Sequence, residues 1–466
     1  MQFPQSPEPY TQAVSNFKND KNNKATPGAS APDLDAVVIG AGLAGLACAR
    51  ELTAAGLSVH VLEAAEAPGG RVRTDVIDGF RLDRGFQVLL TEYPEAQRVL
   101  DYDALALKRF LPGALVRQAG SFHRFADPFR ELQKGLAFAL DPIVPLGDKY
   151  RVAKLRRESL KMTDEQLFAL PEETTREALR KMGFTSAIVE RFFEPFFGGI
   201  FLERNLTSSA RWFRWLFRIF STGFAAVPEL GMEQIPRQMA AGLPTGSLRC
   251  SAVAKAIEKL SNGWRVDFFD AGGAGSVTTK HVVMATREPD AKAFLAKLRK
   301  PSPAPARVWN KTTTFYYAAN NAPVDEPVVV LNGDGPTAGP VNHFAVMSLV
   351  SAAYAPAGAH LICANVVGLA PETDDAMAAL EADVRMQMRR WFGNQVNGWS
   401  ALAGYPIAHA LPLQSSYQPA RPAPVDNGIV LCGDYVGTAS IQGALISGAK
   451  AAAAVRESVV GKVQIR

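Results

Sequence analysis

The sequence predicts an α/β protein: a discontinuous, doubly wound sheet domain carrying an inserted α+β domain. Three observations predict it. A short apolar run, Ala36-Val37-Val38-Ile39, leads directly into Gly40-Ala41-Gly42-Leu43-Ala44-Gly45. Two further segments, 246–286 and 428–456, carry strand and helix patterns that suit the same domain. Between these segments lie two long insertions of different character, 90–235 and 300–405.

The run at 36–39 is apolar without alternation, as expected of a strand covered on both faces. Each glycine after it has a separate use. Gly40 allows a tight turn, Gly42 lets backbone approach a pyrophosphate, and Gly45 lets a helix pack closely on the strand. The pattern then predicts a helix from Leu46 to Ala55, closed by Gly56 at its C′ position. Leu57 to Leu62 is a second strand, and Glu63 ends it. There a carboxylate can accept hydrogen bonds from ribose hydroxyls. The unit reads as Rossmann-like, with phosphates at the helix N-terminus.

Segment 246–286 reads as strand, Asn262-Gly263 turn, strand, Gly272-Gly273 turn, and a last strand through His281-Val282-Val283-Met284. The cluster Gly272-Gly273-Ala274-Gly275 has strands on both sides and no helix after it. It is read as a hairpin turn and not as a second nucleotide site. Segment 428–456 reads as a strand from Gly428 to Cys432, a loop, and an Ala-rich helix from about Gly443. The first insertion is helix-rich and aromatic. The second has β-prone runs at Thr312–Tyr317, Pro327–Leu331 and His360–Val367.

Composition narrows the function classes. The chain has 466 residues, 47% hydrophobic and 20% charged, enough to bury a large core. A net charge of +5 is far from the dense basic stripe of a nucleic-acid binder. Cys48, Cys250, Cys363 and Cys432 are widely spaced, which argues against a zinc site or disulfide framework and fits a reducing, cytoplasmic compartment. No metal-ligand cluster is readable. Residues 1–33 are polar, lack an apolar signal region, and are expected to be a disordered tail.

After Glu63 the chain continues Ala64-Ala65-Glu66-Ala67-Pro68-Gly69-Gly70-Arg71-Val72-Arg73-Thr74. The Gly-Gly-Arg turn offers further N–H groups and a guanidinium to a pyrophosphate. The stretch VVIGAGLAGLACARELTAAGLSVHVLEAAEAPGGRVRT resembles the FAD-binding signature of the flavin-containing amine oxidase and phytoene desaturase superfamily. So does GFRLDRGFQVL, which contains Asp83 and Gly85. GIVLCGDYVGTASIQGALISGAKAA resembles the family's C-terminal flavin motif.

The resemblance implies a glutathione-reductase-type FAD domain from 34–90, 236–300 and 406–466, with a substrate domain from 91–235 and 301–405. It implies non-covalent FAD held by Gly40, Gly42, Leu43, Ala44, Gly45, Glu63, Ala64, Gly69, Gly70, Arg71, Val253, Gly433, Asp434, Ser440, Ile441 and Ala444. Asp434 is expected at the ribityl–phosphate portion, and the helix start at Ser440–Ala444 near the pyrimidine end of the flavin. Cys432 ends a strand, so covalent attachment there is not expected.

Phe192 to Leu202 and Ser208 to Phe220 suggest an apolar pocket. Arg211, Arg214 and Arg218 share one face of the second segment. Two readings of 208–220 stand: a buried helix of the substrate domain, or an amphipathic helix in peripheral contact with a membrane. The family's amine oxidases usually place an aromatic residue where Ser440 stands. The pattern Ser-x-x-Gly-Ala-x-x-Ser-Gly from Ser440, and His409-Ala410-Leu411-Pro412, resemble the desaturase branch instead.

The implied reaction is desaturation of a hydrophobic, isoprenoid- or lipid-like molecule by hydride transfer to flavin N5, with oxygen or a quinone as acceptor. A peroxide-forming amine oxidase and a non-redox isomerase or scaffold are the alternatives. Lys311, ahead of Thr312, is the candidate for the lysine that many amine oxidases place near the flavin. His409 is the histidine expected near substrate. His343 has no ligand-spaced partner and carries no expectation.

Overall fold

The computed structural model describes residues 32–125, 145–298, 307–417, 423, 425–426 and 428–463. The expected tail lies outside the described residues as far as residue 31.

Two sheets organise the chain. In the first, four parallel neighbours run Leu248–Arg249, Val59–Leu62, Leu34–Ile39 and the end of Gly273–Met284. Ile429–Leu431 continues the parallel order on the far side of Val282–Met284. The early part of Gly273–Met284 pairs instead with Gly263–Asp270, which pairs with Val253–Leu260. One long strand thus serves a parallel core and an antiparallel three-stranded arm. The turns at Asn262-Gly263 and Gly272-Gly273 close the two hairpins of that arm, as their glycines predict.

The first helix spans Leu43–Ala54, three residues earlier than the pattern suggested, because it starts within the glycine motif itself. Gly56 takes φ +79° at the expected C′ position. Val37 and Val38 are fully buried, as the unalternating pattern requires. The C-terminal helix begins at Ile441 and spans Ile441–Val463. It packs so closely on the first helix that a Cβ at Gly448 would lie 2.1 Å from the Ala44 carbonyl oxygen.

The second sheet has seven strands in the order Ser400–Pro412, Trp309–Ala319, His360–Val367, Val341–Val346, Val329–Asn332, Ala114–Gln118 and Ser121–Phe125. All three β-prone runs of the second insertion are strands in it. Ser400–Pro412 pairs with Trp309–Ala319 on both sides of residue 406, so the division expected there falls inside a strand.

Asp83 ties a small two-stranded hairpin to the second sheet. It ends the hairpin Thr74–Ile77/Phe80–Asp83 and is 1% exposed. Its carboxylate accepts from Thr74 Oγ1 at 2.6 Å, from Met232 N at 2.9 Å and from the Tyr354 hydroxyl at 2.7 Å. The Tyr316 hydroxyl, from the second sheet, donates to the Asp83 carbonyl at 2.9 Å. Burial pushes the Asp83 carboxyl up to about 6, against the three hydrogen bonds that favour its charged form.

The segment expected at 208–220 is the helix Ala210–Thr222. Trp212, Phe213, Trp215 and Leu216 are buried in the protein core. Arg211 donates to the Leu170 carbonyl at 2.8 Å, Arg218 to the Met162 carbonyl at 2.9 Å, and Arg214 reaches Met182 Sδ at 3.5 Å. These contacts favour the buried-helix reading of 208–220, with Phe217 and Phe220 partly buried at the cavity described below. No helix among the described residues is long and apolar enough to cross a membrane.

Candidate active site

A cavity of about 880 Å³ opens between the two sheets. That volume suits a large organic ligand. One half is built of backbone and polar groups from the first sheet; the other is aromatic.

The polar half collects the sequence motifs. Gly40, Gly42, Leu43, Ala44, Glu63, Ala64, Gly69, Gly70, Arg71, Val253, Gly433, Asp434, Ser440, Ile441 and Ala444 all line it. Gly45 lies behind the wall: a Cβ there would sit 2.0 Å from the Gly40 carbonyl oxygen and 3.1 Å from Ala285 Cβ. It is a packing glycine. Gly42 is the opposite case, since a Cβ there meets nothing within 4 Å and enters the cavity. Gly42 also caps the first helix, whose first turn has no side-chain cap and no acidic residue. Its N–H groups are left for a ligand anion.

Glu63 is held in place by backbone. One carboxylate oxygen accepts from Ala41 N at 2.6 Å and the other from Ala65 N at 2.9 Å. Burial raises its pKa, and these N–H groups pull the other way. Arg71 donates to Asp434 at 2.6 Å and to the Ala410 carbonyl at 2.5 Å. Ser440 accepts from Gly443 N at 2.9 Å and so caps the C-terminal helix, whose start faces the cavity.

Several wall residues were not singled out from the sequence, although Gln87 lies within GFRLDRGFQVL. Thr286 Oγ1 and Gln87 Oε1 are buried without a hydrogen-bond partner in the protein. Arg287 and Asp290 join them from the segment after Met284. All follow strand ends or turns whose position only the sheet reveals. The expected FAD fits this half: the Gly42 opening, the uncapped helix N-terminus and the orphaned oxygens are what a bound dinucleotide fills and pairs.

Lys311 and His409 are not on the wall. Lys311 is exposed, and its neighbour Thr312 faces the cavity instead. Strand alternation separates them. Thr312 Oγ1 is already within reach of Asn365 Oδ1 at 3.0 Å and the Val366 carbonyl at 2.9 Å. His409 packs edge-on to Trp309 with centroids 5.5 Å apart. Partial burial lowers its pKa, assisted by the positive charges of Arg287, Lys311 and Arg71.

The aromatic half is formed by Phe192, Phe196 and Phe197, by Phe217 and Phe220 from the Ala210–Thr222 helix, and by Phe86 with Phe110. The first five form one network, in which Phe192 stacks on Phe196 at 5.3 Å and Phe196 meets Phe220 edge-on at 5.3 Å, while Phe86 and Phe110 meet edge-on at 6.1 Å. Among the described residues the acidic wall residues are Glu63, Asp290 and Asp434. Each comes from a segment of the polar half.

The family described as flavin containing amine oxidoreductase matches residues 43–456. Over 122 residues the chain is 34% identical to putrescine oxidase of Kocuria rosea, covering 26% of each chain. Over 57 residues it is 51% identical to hydroxyneurosporene desaturase of Rhodobacter capsulatus, covering 12% of each. The chain thus spans only part of the curated relatives it matches. Cyclohexylamine oxidase from Brevibacterium oxydans shares the fold with a TM-score of 0.64 at 17% identity, over 92% of this chain and all of that one.

Proposed function

The chain belongs to the flavin containing amine oxidoreductase family, and from that premise we propose that it is an FAD-dependent dehydrogenase of a hydrophobic, isoprenoid- or lipid-like molecule. The observation that carries this reading is the division of the cavity. Its aromatic half has no carboxylate on the wall among the described residues. A cationic substrate would lose its hydration there without gaining a counter-charge. A neutral apolar chain gains about 25 cal/mol for each Å² it buries.

On this reading the first sheet with its helices is the FAD domain, and the second sheet with the helical insertion is the substrate domain. Bound FAD supplies a two-electron acceptor. The protein's part is placement. Gly42, Gly70 and the first helix would hold the pyrophosphate, Glu63 the ribose, and Arg71 with Asp434 the phosphate-to-ribityl link. The Ser440-capped helix start would stand by the ring, where its positive end favours negative charge. The phenylalanines exclude water and hold the carbon chain by packing. Oxygen or a quinone takes up the electrons.

Amine oxidation is the second reading, favoured by the likeness to putrescine oxidase. Anaerobic titration of the purified flavoprotein separates the two. Bleaching of the flavin by an isoprenoid lipid in detergent supports dehydrogenation. Bleaching by a diamine alone overturns it in favour of the second reading, and bleaching by neither rejects both.

A further inference from the structure

Among the polar side chains on the cavity wall, which include Lys149, Arg156 and Ser221, His343 is one that dehydrogenation of a plain hydrocarbon leaves without use. His343 lies in Val341–Val346, a strand buried at every position, and is itself 4% exposed. Its ring stands on the cavity wall, edge-on to Phe86 with centroids 4.6 Å apart. Gly199 makes room for it, because a Cβ there would come within 2.9 Å of His343 Nδ1.

The neighbours fix which ring nitrogen carries the proton. Asn342 Nδ2 donates to the Pro195 carbonyl at 2.8 Å. That bond fixes the amide orientation, since the reversed amide would set two acceptors against each other. The same Nδ2 lies 3.1 Å from His343 Nδ1. An amide nitrogen only donates, so Nδ1 is the acceptor. Burial lowers the ring to about 3, which keeps it neutral and leaves its proton on Nε2. Nε2 has no partner in the protein. A buried donor left unpaired is costly; Nε2 has less than 1 Å² of surface open to the cavity, so a ligand oxygen pairs with it only by displacing the side chains that cover it.

We propose that the Nε2–H of His343 reads a hydrogen-bond-accepting oxygen on the substrate, which is therefore an apolar molecule bearing an alcohol, ether or ketone group. This inference rests on the apolar-substrate reading above and adds its one polar requirement. His343 is a specificity residue: it selects among apolar chains by an atom that packing alone cannot recognise. A pocket of phenylalanines discriminates weakly between molecules of similar size. A buried donor rejects the analogue that leaves it unpaired.

The test uses the flavin-loaded protein and three probes of one carbon skeleton: farnesol, farnesyl methyl ether and farnesene. Binding is read by perturbation of the flavin spectrum, without turnover. The alcohol and the ether are expected to bind about tenfold or more tightly than the hydrocarbon. The ether matters because it accepts but does not donate, which matches an N–H on the protein.

His343→Phe keeps a ring in the same seat and is expected to remove the preference without weakening farnesene. His343→Gln, which restores an N–H donor, is expected to recover part of it. Nitrogen-15 spectra of labelled histidine in the unaltered protein are expected to show one neutral ring protonated at Nε2 below pH 5. Equal binding of the three probes overturns the inference, as a trapped water on Nε2 would produce, and leaves the apolar reading standing. A preference that survives His343→Phe also overturns it. Failure of all three probes to bind rejects the apolar reading itself, and this inference with it.

Discussion

The Arg71 guanidinium and the Asp434 carboxylate, 363 positions apart, meet at 2.6 Å on the wall of one cavity. The pair joins the Gly-Gly-Arg turn to the start of the C-terminal flavin motif. Arg71 is a third exposed, so the pair's own contribution to stability is small. On the proposed reading of the site, its value lies in aiming a fork of donors at a ligand anion.

Arg71→Ala is therefore expected to fold and to lose cofactor, with FAD affinity about 10 to 100 times weaker. Arg71→Lys should recover little, because a single ammonium cannot serve both Asp434 and the Ala410 carbonyl while meeting phosphate. The flavin-to-protein ratio after purification, and reconstitution with added FAD, measure both. Full flavin retention in Arg71→Ala would remove Arg71 from the cofactor site.

Two glycines of one motif should fail in different ways. Gly42→Ala places its methyl in the cavity at an ordinary φ of −71°. Stability of the cofactor-free protein should fall by only about 0.5–1 kcal/mol, the cost of alanine at an N-cap, while FAD binding is lost. Gly45→Ala drives a methyl to 2.0 Å from the Gly40 carbonyl oxygen, within rigid backbone. Its cost should reach or pass the roughly 1–3 kcal/mol of ordinary overpacking, with or without FAD. Urea unfolding of both cofactor-free variants distinguishes them.

Asp83 gives stability a pH dependence of unusual sign for a carboxylate. Its folded pKa, about 6, lies above the ordinary value of 3.8. Between those values the folded protein keeps a proton that the unfolded chain has released. The group's contribution is therefore greatest below about pH 4, falls as pH rises to about 6, and is flat above. The loss amounts to roughly 3 kcal/mol. Asp83→Asn should flatten this part of the stability curve. The checking measurement is the difference in unfolding free energy between the two proteins from pH 4 to 7; an unchanged difference refutes the prediction.

Phe213 is fully buried and meets Phe197 edge-on at 4.7 Å and Phe193 at 6.0 Å. Phe213→Ala should cost about 3–5 kcal/mol, the sum of lost transfer energy and an unfilled cavity. Flavin affinity should change little, since Phe213 is not on the cavity wall. Denaturant midpoints and flavin content together check this.

The polar half of the site was legible because its chemistry is local. Gly40, Gly42, Gly45 and Glu63 act within one strand–turn–helix unit, so their spacing alone carries the geometry. His343 shows the limit. Its meaning depends on Asn342, Pro195 and Phe86, which belong to three different elements. The available signal was faint: Asn-His inside Val341–Val346, polar residues in a run otherwise made for burial. Lys311 shows the opposite error. It stands one position from Thr312, and in a strand one position exchanges the inside for the outside. The Ala210–Thr222 helix was ambiguous for a third reason. Its arginine stripe suits water, headgroups or neighbouring carbonyls alike, and only the packed helices beside it favour the buried reading.

The first helix and the C-terminal helix are locked together where Gly448 approaches Ala44, and both begin at the cavity. Synthesis delivers these two helices far apart in time. At roughly 5–20 residues per second, Asp434 leaves the ribosome about 20 to 70 seconds after Arg71. Until then the cavity lacks one wall and one of the two helices that begin at it. On the proposed reading, flavin binding waits until both segments have been made.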